Sequence, residues 1–452
     1  MAQPLTRDLA QRVLEISFDA LPQEILCKTK YCVLDYLADA VAGQAAHLPS
    51  VEIAGRYAAA NGGAPEATIL GTNVRVPAAE AAFVNSVSGE VLELGDGENS
   101  VIGHPGQAVI PAALAIAEKE GGVSGKAFLE AVLAGYEAFI RVGQSVMPEA
   151  YDRGFSASGC LGNFGAAVAV GRLYGFDREK MQDALALSAC AAGYLRSWNL
   201  TGTMDKDLMV ADSTRRGVLA GILAHMGYTG SREILEGGLG FCDAMCGGAK
   251  PVALEPGQYG IQNVYFKPYP CCRATHGCID AALALRAGGV DPKEIRHIHI
   301  HTDTRGSTVS IPEPESFVSI RFSQQYAAAA ALLAGRATIR EFTEEFAAQP
   351  EMKTLLRRTT ISIDPELDEG WPARDYSRRI TLTLDDGTER TAYIHNIKGS
   401  NENPMTWAEV EDKCRGLLRE LYPEARVEQI LNAVLHLEQI QDMRELAALL
   451  GA

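Results

Sequence analysis

Between Gly106 and Gly175 the chain carries three apolar runs in which glycine and alanine recur at almost every turn: GQAVIPAALAIAEKE, GKAFLEAVLAGYEAFIRVGQ and GNFGAAVAVGRLYG. Side chains this small at successive turns leave room for another backbone, so these runs predict closely packed helices in a buried helical domain rather than isolated amphipathic ones. Helices are expected over 107–119, 125–146 and 162–175. The same pattern extends outward. Thr6 reads as the cap of a helix to Leu14, and Ile25, Cys32, Leu34, Leu37 and Ala38 mark a longer helix ended by Gly43. Further helices are expected at 50–60, after Pro77, from Asp177 as a cap to Ala192, and over 211–226, with TGTMDK (201–206) read as an interruption before the last.

The character changes near Lys267. After KPYPCC and a helix at 275–287, EIRHIHIHTD alternates as a strand does, with His297, His299 and His301 on one face and Ile298 and Ile300 on the other. A row of histidines along a strand reads as a partly exposed sheet face before it reads as a metal site. A helix at 324–334, the strand TTISID and a hairpin around Asp386-Gly387 complete an α+β region. From NENPMTW onward the pattern is helical again. The expected fold class is therefore mainly α, with a large helical domain over 1–267 and 403–452 and a smaller α+β domain over 268–402.

A formal net charge of −16 with no Lys/Arg block argues against nucleic acid or an acidic membrane surface as partner. The N-terminus lacks a basic segment followed by an apolar run, and no apolar stretch reaches membrane-spanning length, so the cytoplasm is the expected compartment. The ten cysteines are scattered and read as reduced core thiols. Cys271, Cys272 and Cys278 surround His276 without the paired spacing of a zinc site. No glycine-rich segment has the context of a dinucleotide or phosphate loop.

Chemistry concentrates in LELGDGENSVIGHPGQAVIPAALA, residues 92–115. Glu93, Asp96, Glu98 and His104 precede a helix whose first turn, Gly106 to Ala108, offers unpaired N–H groups to an anion, with an imidazole beside it to move a proton. The plainer alternative is a polar loop capping a core helix.

The ordered series VLDYLADAVAG, PEATILG, GHPGQAVIPAALA, GNFGAAVAVGRLYG, GYTGSREILEGGLGF, KPYPCCRATH and NPMTWAEVEDK resembles the MmgE/PrpD family of 2-methylcitrate dehydratases and cis-aconitate decarboxylases over nearly the whole chain. The resemblance implies a lid-like α+β domain, a homodimer, and no obligatory metal or organic cofactor. It also implies dehydration, decarboxylation or epimerisation of small di- or tricarboxylates. His104 matches the family histidine-proline motif, Glu93 and Asp96 match acidic positions before it, and Lys206 and Lys267 match the two lysines. Ser156, Met209 and Cys272 stand where relatives carry histidine, which argues against decarboxylation, because neither serine nor cysteine replaces an imidazole near neutral pH.

The expected catalytic set is thus His104, Lys206, Asp96 and Tyr151, with Glu93, Arg153, Ser156, Lys267 and Cys272 binding a small anionic carboxylate. Proton abstraction beside a carboxylate needs a base and cations that offset the developing charge, and His104 with Lys206 supplies both types. Arginine can grip a carboxylate bidentately and tyrosine can move a second proton, although packing is the plainer role for Arg153 and Tyr151. The leading expectation is a hydratase or dehydratase without cofactor. An epimerase and a non-catalytic carboxylate-binding homodimer are the alternatives.

Overall fold

The computed structural model describes residues 3–368 and 376–452. Helices α1 (Gln23–Ala45), α2 (Ala78–Glu90), α3 (Gly106–Glu120), α4 (Gly125–Val146), α5 (Ala157–Leu173) and α6 (Asp205–His225) form the centre of the larger part, with α5 packed against α3, α4 and α6. The small residues do what the sequence requires of them. A Cβ on Gly135 would lie 2.8 Å from the carbonyl oxygen of Gly165, and one on Gly165 would lie 3.0 Å from that of Gly135, so α4 and α5 meet backbone to backbone.

Two helix starts differ from expectation. The first helix begins at Leu5 after Pro4, and Thr6 is no cap: its hydroxyl lies inside the helix and donates to Glu236 Oε2 at 2.5 Å. Helix α6 starts at Asp205, six residues before the expected 211, and carries Lys206 in its first turn. The polar run 201–206 reads as a loop, yet Asp205 and Asp207 suit the positive end of a helix. Asp177 caps as expected, accepting from Lys180 N at 2.9 Å.

The α+β part contains helices α7 (His276–Ala287) and α8 (Gln324–Ala334), and strands β1 (Ile295–Thr302), β2 (Thr359–Ile363), β3 (Arg378–Leu384) and β4 (Glu389–Ile394). The strand order is β2-β1-β3-β4, with β1 and β2 parallel and the other pairs antiparallel. A parallel pair needs a long crossover, and here it runs through α8. One sheet face buries Ile298, Ile300, Ile380 and Leu382 against Ile279 of α7 and the alanines of α8. The other carries the histidines. His299 bonds Thr360 Oγ1 at 2.9 Å and Ser362 Oγ at 3.0 Å, a polar face as expected.

Helices α9 (Trp407–Leu418) and α10 (Glu424–Leu435) put Val410, Leu418, Val427 and Ile430 into the same hydrophobic core as Leu34 and Leu37 of α1. Val309, Phe317 and Phe322 of the intervening segment join that core too. Among the described residues no helix is long and apolar enough to cross a membrane. Mainly-α architecture with one small mixed sheet is what the sequence pattern requires.

Candidate active site

The loop between α2 and α3, residues 91–105, is held by a two-residue antiparallel pairing in which Gly97 faces Tyr265 and Glu98 faces Val264. This brings residues 264–267 beside the loop, and Lys267 Nζ reaches Glu93 Oε2 at 2.9 Å. Gly97 is required there. A Cβ would run into the Tyr265 ring and approach His104 Nδ1 at 3.0 Å. Glu98 organises the turn, with its carboxylate accepting from Ser100 Oγ at 2.7 Å and Val101 N at 3.0 Å.

His104 is fixed at two points. Its backbone N–H donates to Ser158 Oγ at 3.0 Å, and its Nδ1 lies 2.6 Å from the carbonyl oxygen of Asp96. A carbonyl only accepts, so Nδ1 carries the hydrogen and Nε2 keeps the lone pair. Burial, then the Lys267 charge, push the imidazole down to about 3, so the ring is neutral near pH 7. The Asp96 carboxylate accepts from Tyr136 Oη at 2.6 Å and from Gly106 N at 3.1 Å. Asp96 therefore positions His104 and caps α3. The anion dock expected on the first turn of α3 does not form, because Asp96 already occupies Gly106 N and Gln107 and Ala108 are fully buried.

Two carboxylates share two lysines beside the imidazole. Lys206 Nζ pairs with Glu93 and lies 3.0 Å from Glu90 Oε1, while Lys267 pairs with the other oxygen of Glu93. All four side chains are nearly excluded from solvent. Glu93 holds a left-handed backbone, φ 56°, unusual away from glycine and typical of residues fixed by their surroundings at functional sites. Burial alone would push its carboxyl up, but the two ammonium groups outweigh that and hold it well below the usual carboxylate range. Glu90 is pushed up to about 7 by burial, with Lys206 opposing and Glu93 adding to the rise. Lys206 stays cationic: its carboxylate neighbours outweigh burial and raise it.

These groups open onto a cavity of about 280 Å³. His104, Lys206, Tyr151, Glu93, Ser156 and Cys272 of the expected set line it. Lys267 and Asp96 stand behind the wall. Arg153 does not line the cavity: it is exposed, and its Nη1 donates to the Met245 carbonyl at 3.0 Å. Its expected place is taken by Arg196, which stacks over the Tyr151 ring at 3.9 Å and donates to the Tyr151 carbonyl. Ser156 caps α5, accepting from Gly159 N at 3.4 Å, so the positive end of a 17-residue helix reaches the cavity. Burial pushes the Cys272 thiol up to about 11, which keeps it protonated. Sequence reasoning missed Glu90, Ser158, Arg196, Trp198 and Asn199, all on the cavity wall. Among the described residues no group of three or more His, Cys, Asp or Glu side chains is arranged to hold a metal.

The chain is 27% identical to a cis-aconitate decarboxylase of Aspergillus terreus over 477 residues, covering 99% of this chain and 96% of the relative. It is also 27% identical to the cis-aconitate decarboxylase of Mus musculus, covering 100% of this chain and 94% of that protein. A mitochondrial 2-methylcitrate dehydratase of Yarrowia lipolytica is 27% identical over 290 residues, covering 59% of this chain and 55% of the relative. The model of the MmgE/PrpD N-terminal domain matches residues 7–253 and that of the C-terminal domain residues 269–439, and on these matches the chain belongs to the MmgE/PrpD family.

Proposed function

We propose that the protein is a cofactor-independent lyase, a hydratase or dehydratase of a small di- or tricarboxylate. The observation that carries this reading is the fixed imidazole: a neutral His104 whose Nε2 keeps its lone pair, in a cavity shared with Lys206 and a carboxyl, Glu90, near neutrality. His104 Nε2 removes the proton beside a substrate carboxylate, and Lys206 offsets the charge that develops on the carboxylate oxygens. An anionic substrate counters the Lys267 charge and so raises the basicity of His104 when it binds. Glu90 supplies the proton for the leaving hydroxyl. Two carboxylates whose surroundings push their pKa values apart are the usual signature of such a division of labour.

Metal independence is part of the proposal, since Glu90 and Glu93 are already neutralised by lysines. Decarboxylation is less supported than elimination: Ser156 and Cys272 replace histidines of the family pattern, and the thiol is protonated. Epimerisation is the second reading, favoured by Tyr151 on the same cavity as a second proton-transfer group. We further propose the division into 1–267 with 403–452 and 268–402, supported by a second core drawn wholly from residues 271–384, with Val309, Phe317 and Phe322 packing across onto the larger core. A homodimer is supported by exposed Ile53, Tyr57 and Leu208 around an apolar groove.

The test is incubation with cis-aconitate, 2-methylcitrate and aspartate-like dicarboxylates in deuterated water, followed by NMR. Interconversion of alkene and hydrated acid is the expected result. Inverted stereochemistry with α-deuterium and an intact skeleton replaces the lyase by an epimerase, loss of carbon dioxide replaces it by a decarboxylase, and no turnover leaves a carboxylate-binding protein.

A further inference from the structure

A second groove, of about 690 Å³, lies between the start of α1, residues 262–266 and residues 399–407. Helix α1 carries Lys28 into it, with Nζ 4.5 Å from the ring centroid of Phe266 and 5.8 Å from that of Trp407. An aromatic face attracts an ammonium but is no conventional acceptor, so the N–H donors of Lys28 stay unspent. Among the described residues Lys28 has no hydrogen-bond acceptor and no ion pair, although its nitrogen is open to the groove. Every other lysine that is buried or half-buried pairs with a carboxylate. Burial pushes the Lys28 ammonium down from the ordinary lysine value, as it does for a cation that nothing nearby compensates.

The walls of the groove are held in place. Gly399, at φ 88°, backs onto residue 266 so closely that a Cβ would run into the Phe266 carbonyl oxygen. The Thr406 hydroxyl accepts from Glu409 N at 3.3 Å and Glu409 Oε2 accepts from Thr406 N at 2.7 Å, a reciprocal cap that fixes Trp407 in the first turn of α9. Trp407 stacks on Tyr31 of α1 with ring centroids 4.2 Å apart, yet it stays 39% exposed, and Met405 also lines the groove. Glu24, one turn before Lys28, is exposed at the same groove and makes no ion pair with it.

We propose that this groove binds a monocarboxylate carried on a flat aromatic ring, with the carboxylate on the Lys28 ammonium and the ring against Trp407 and Met405. A carboxylate on an ammonium makes the stronger, charge-assisted kind of hydrogen bond that the aromatic rings do not supply. A lone cation answers one negative charge. A second charge on the ligand would meet Glu24 and a chain of net charge −16. The exposed indole favours a flat partner over an alkyl chain, since aromatic pairs gain more than their buried area alone gives. The site is distinct from the His104 cavity: among the described residues Tyr265 is the one lining residue that the two share. The inference does not rest on the lyase reading.

Calorimetric titration with benzoate, acetate and benzyl alcohol tests the site, because acetate lacks the ring and benzyl alcohol lacks the charge. Benzoate is expected to bind, with acetate and benzyl alcohol each weaker by about tenfold or more. Lys28→Met keeps most of the side-chain length and removes the charge; it should weaken benzoate about tenfold and leave benzyl alcohol unchanged. Glu24→Gln, at an exposed position, removes the like charge and should tighten benzoate about two- to threefold. Lys206→Met takes an ammonium from the His104 cavity and should leave benzoate affinity unchanged. No benzoate binding, or binding that survives Lys28→Met, is lost with Lys206→Met or is matched by acetate, overturns the site. So does unchanged or weakened benzoate binding in Glu24→Gln, a result that does not depend on how well Lys28→Met folds.

Discussion

Two buried charge clusters of similar make-up touch the 91–105 loop, one at Glu93 and one at the Leu94 carbonyl, and they behave differently. On the cavity side Glu90 and Glu93 share Lys206 and Lys267, with Asp207 a third acid 3.8 Å from Lys206 Nζ. In the other, Asp35 and Asp39 of α1 share Lys413, among the described residues their one ion-pair partner, at 2.7 and 3.5 Å, while Lys413 also donates to the Leu94 carbonyl at 2.9 Å. Neither oxygen of Asp39 has a hydrogen-bond partner among the described residues, and burial pushes its carboxyl well above the usual range. The cluster with two cations holds one ionised acid and one near neutrality on the cavity wall. The one with a single cation is closed by α9 and ties the C-terminal helices to the 91–105 loop. On the proposed function, the cluster on the cavity wall serves proton transfer and the covered one serves attachment.

Substitution of the two lysines tests that contrast. Lys413→Met leaves two aspartates with no cation and should cost about 3–5 kcal/mol of stability, read by denaturant unfolding. Lys206→Met should fold, because Lys267 still balances Glu93, Glu90 can take a proton and Asp207 keeps its hydrogen bond from Ser50, but kcat should fall about 10²–10³-fold. If Lys413→Met loses activity more than stability, or Lys206→Met stability more than activity, the contrast is wrong.

Glu90→Gln sharpens the cavity side. Burial pushes the folded carboxyl up to about 7 from an ordinary value of 4.5, so it binds its proton more tightly folded than unfolded. Its contribution to stability is full below about 4.5 and is lost as pH rises to about 7. Glu90→Gln should flatten stability across that window and remove a limb near pH 7 from the kcat/KM profile; an unchanged profile excludes Glu90 from proton transfer. The smallest effect is expected from Tyr136→Phe, which deprives Asp96 of one hydrogen bond and should cost about 1 kcal/mol of stability with a few-fold loss in kcat.

The sequence exposed the close-packed helices because Gly135 and Gly165 must be small wherever two backbones touch, and it exposed the histidine face of β1 because strand alternation is strictly periodic. His104, Glu93 and Lys206 were legible through the loop and its family pattern. Glu90 was not, since one acid at the end of an apolar helix looks the same whether it faces solvent or a buried lysine 116 residues away. Tyr136 sits inside an apolar run, and only the fold shows its hydroxyl on Asp96. Arg196 replaced Arg153 for a similar reason: both flank Tyr151 in space, but in sequence only Arg153 is its neighbour. The helix start at Asp205 was hidden by the polar segment before it.

The most direct measurement is hydrogen exchange at the substrate carbon beside the carboxylate, followed by NMR in deuterated water with His104→Asn and wild-type protein, both shown to be folded by circular dichroism. Asparagine keeps a donor for the Asp96 carbonyl and has no basic nitrogen. Exchange and turnover should fall together by about 10²–10⁴-fold. Wild-type rates of exchange in His104→Asn would contradict proton abstraction by His104.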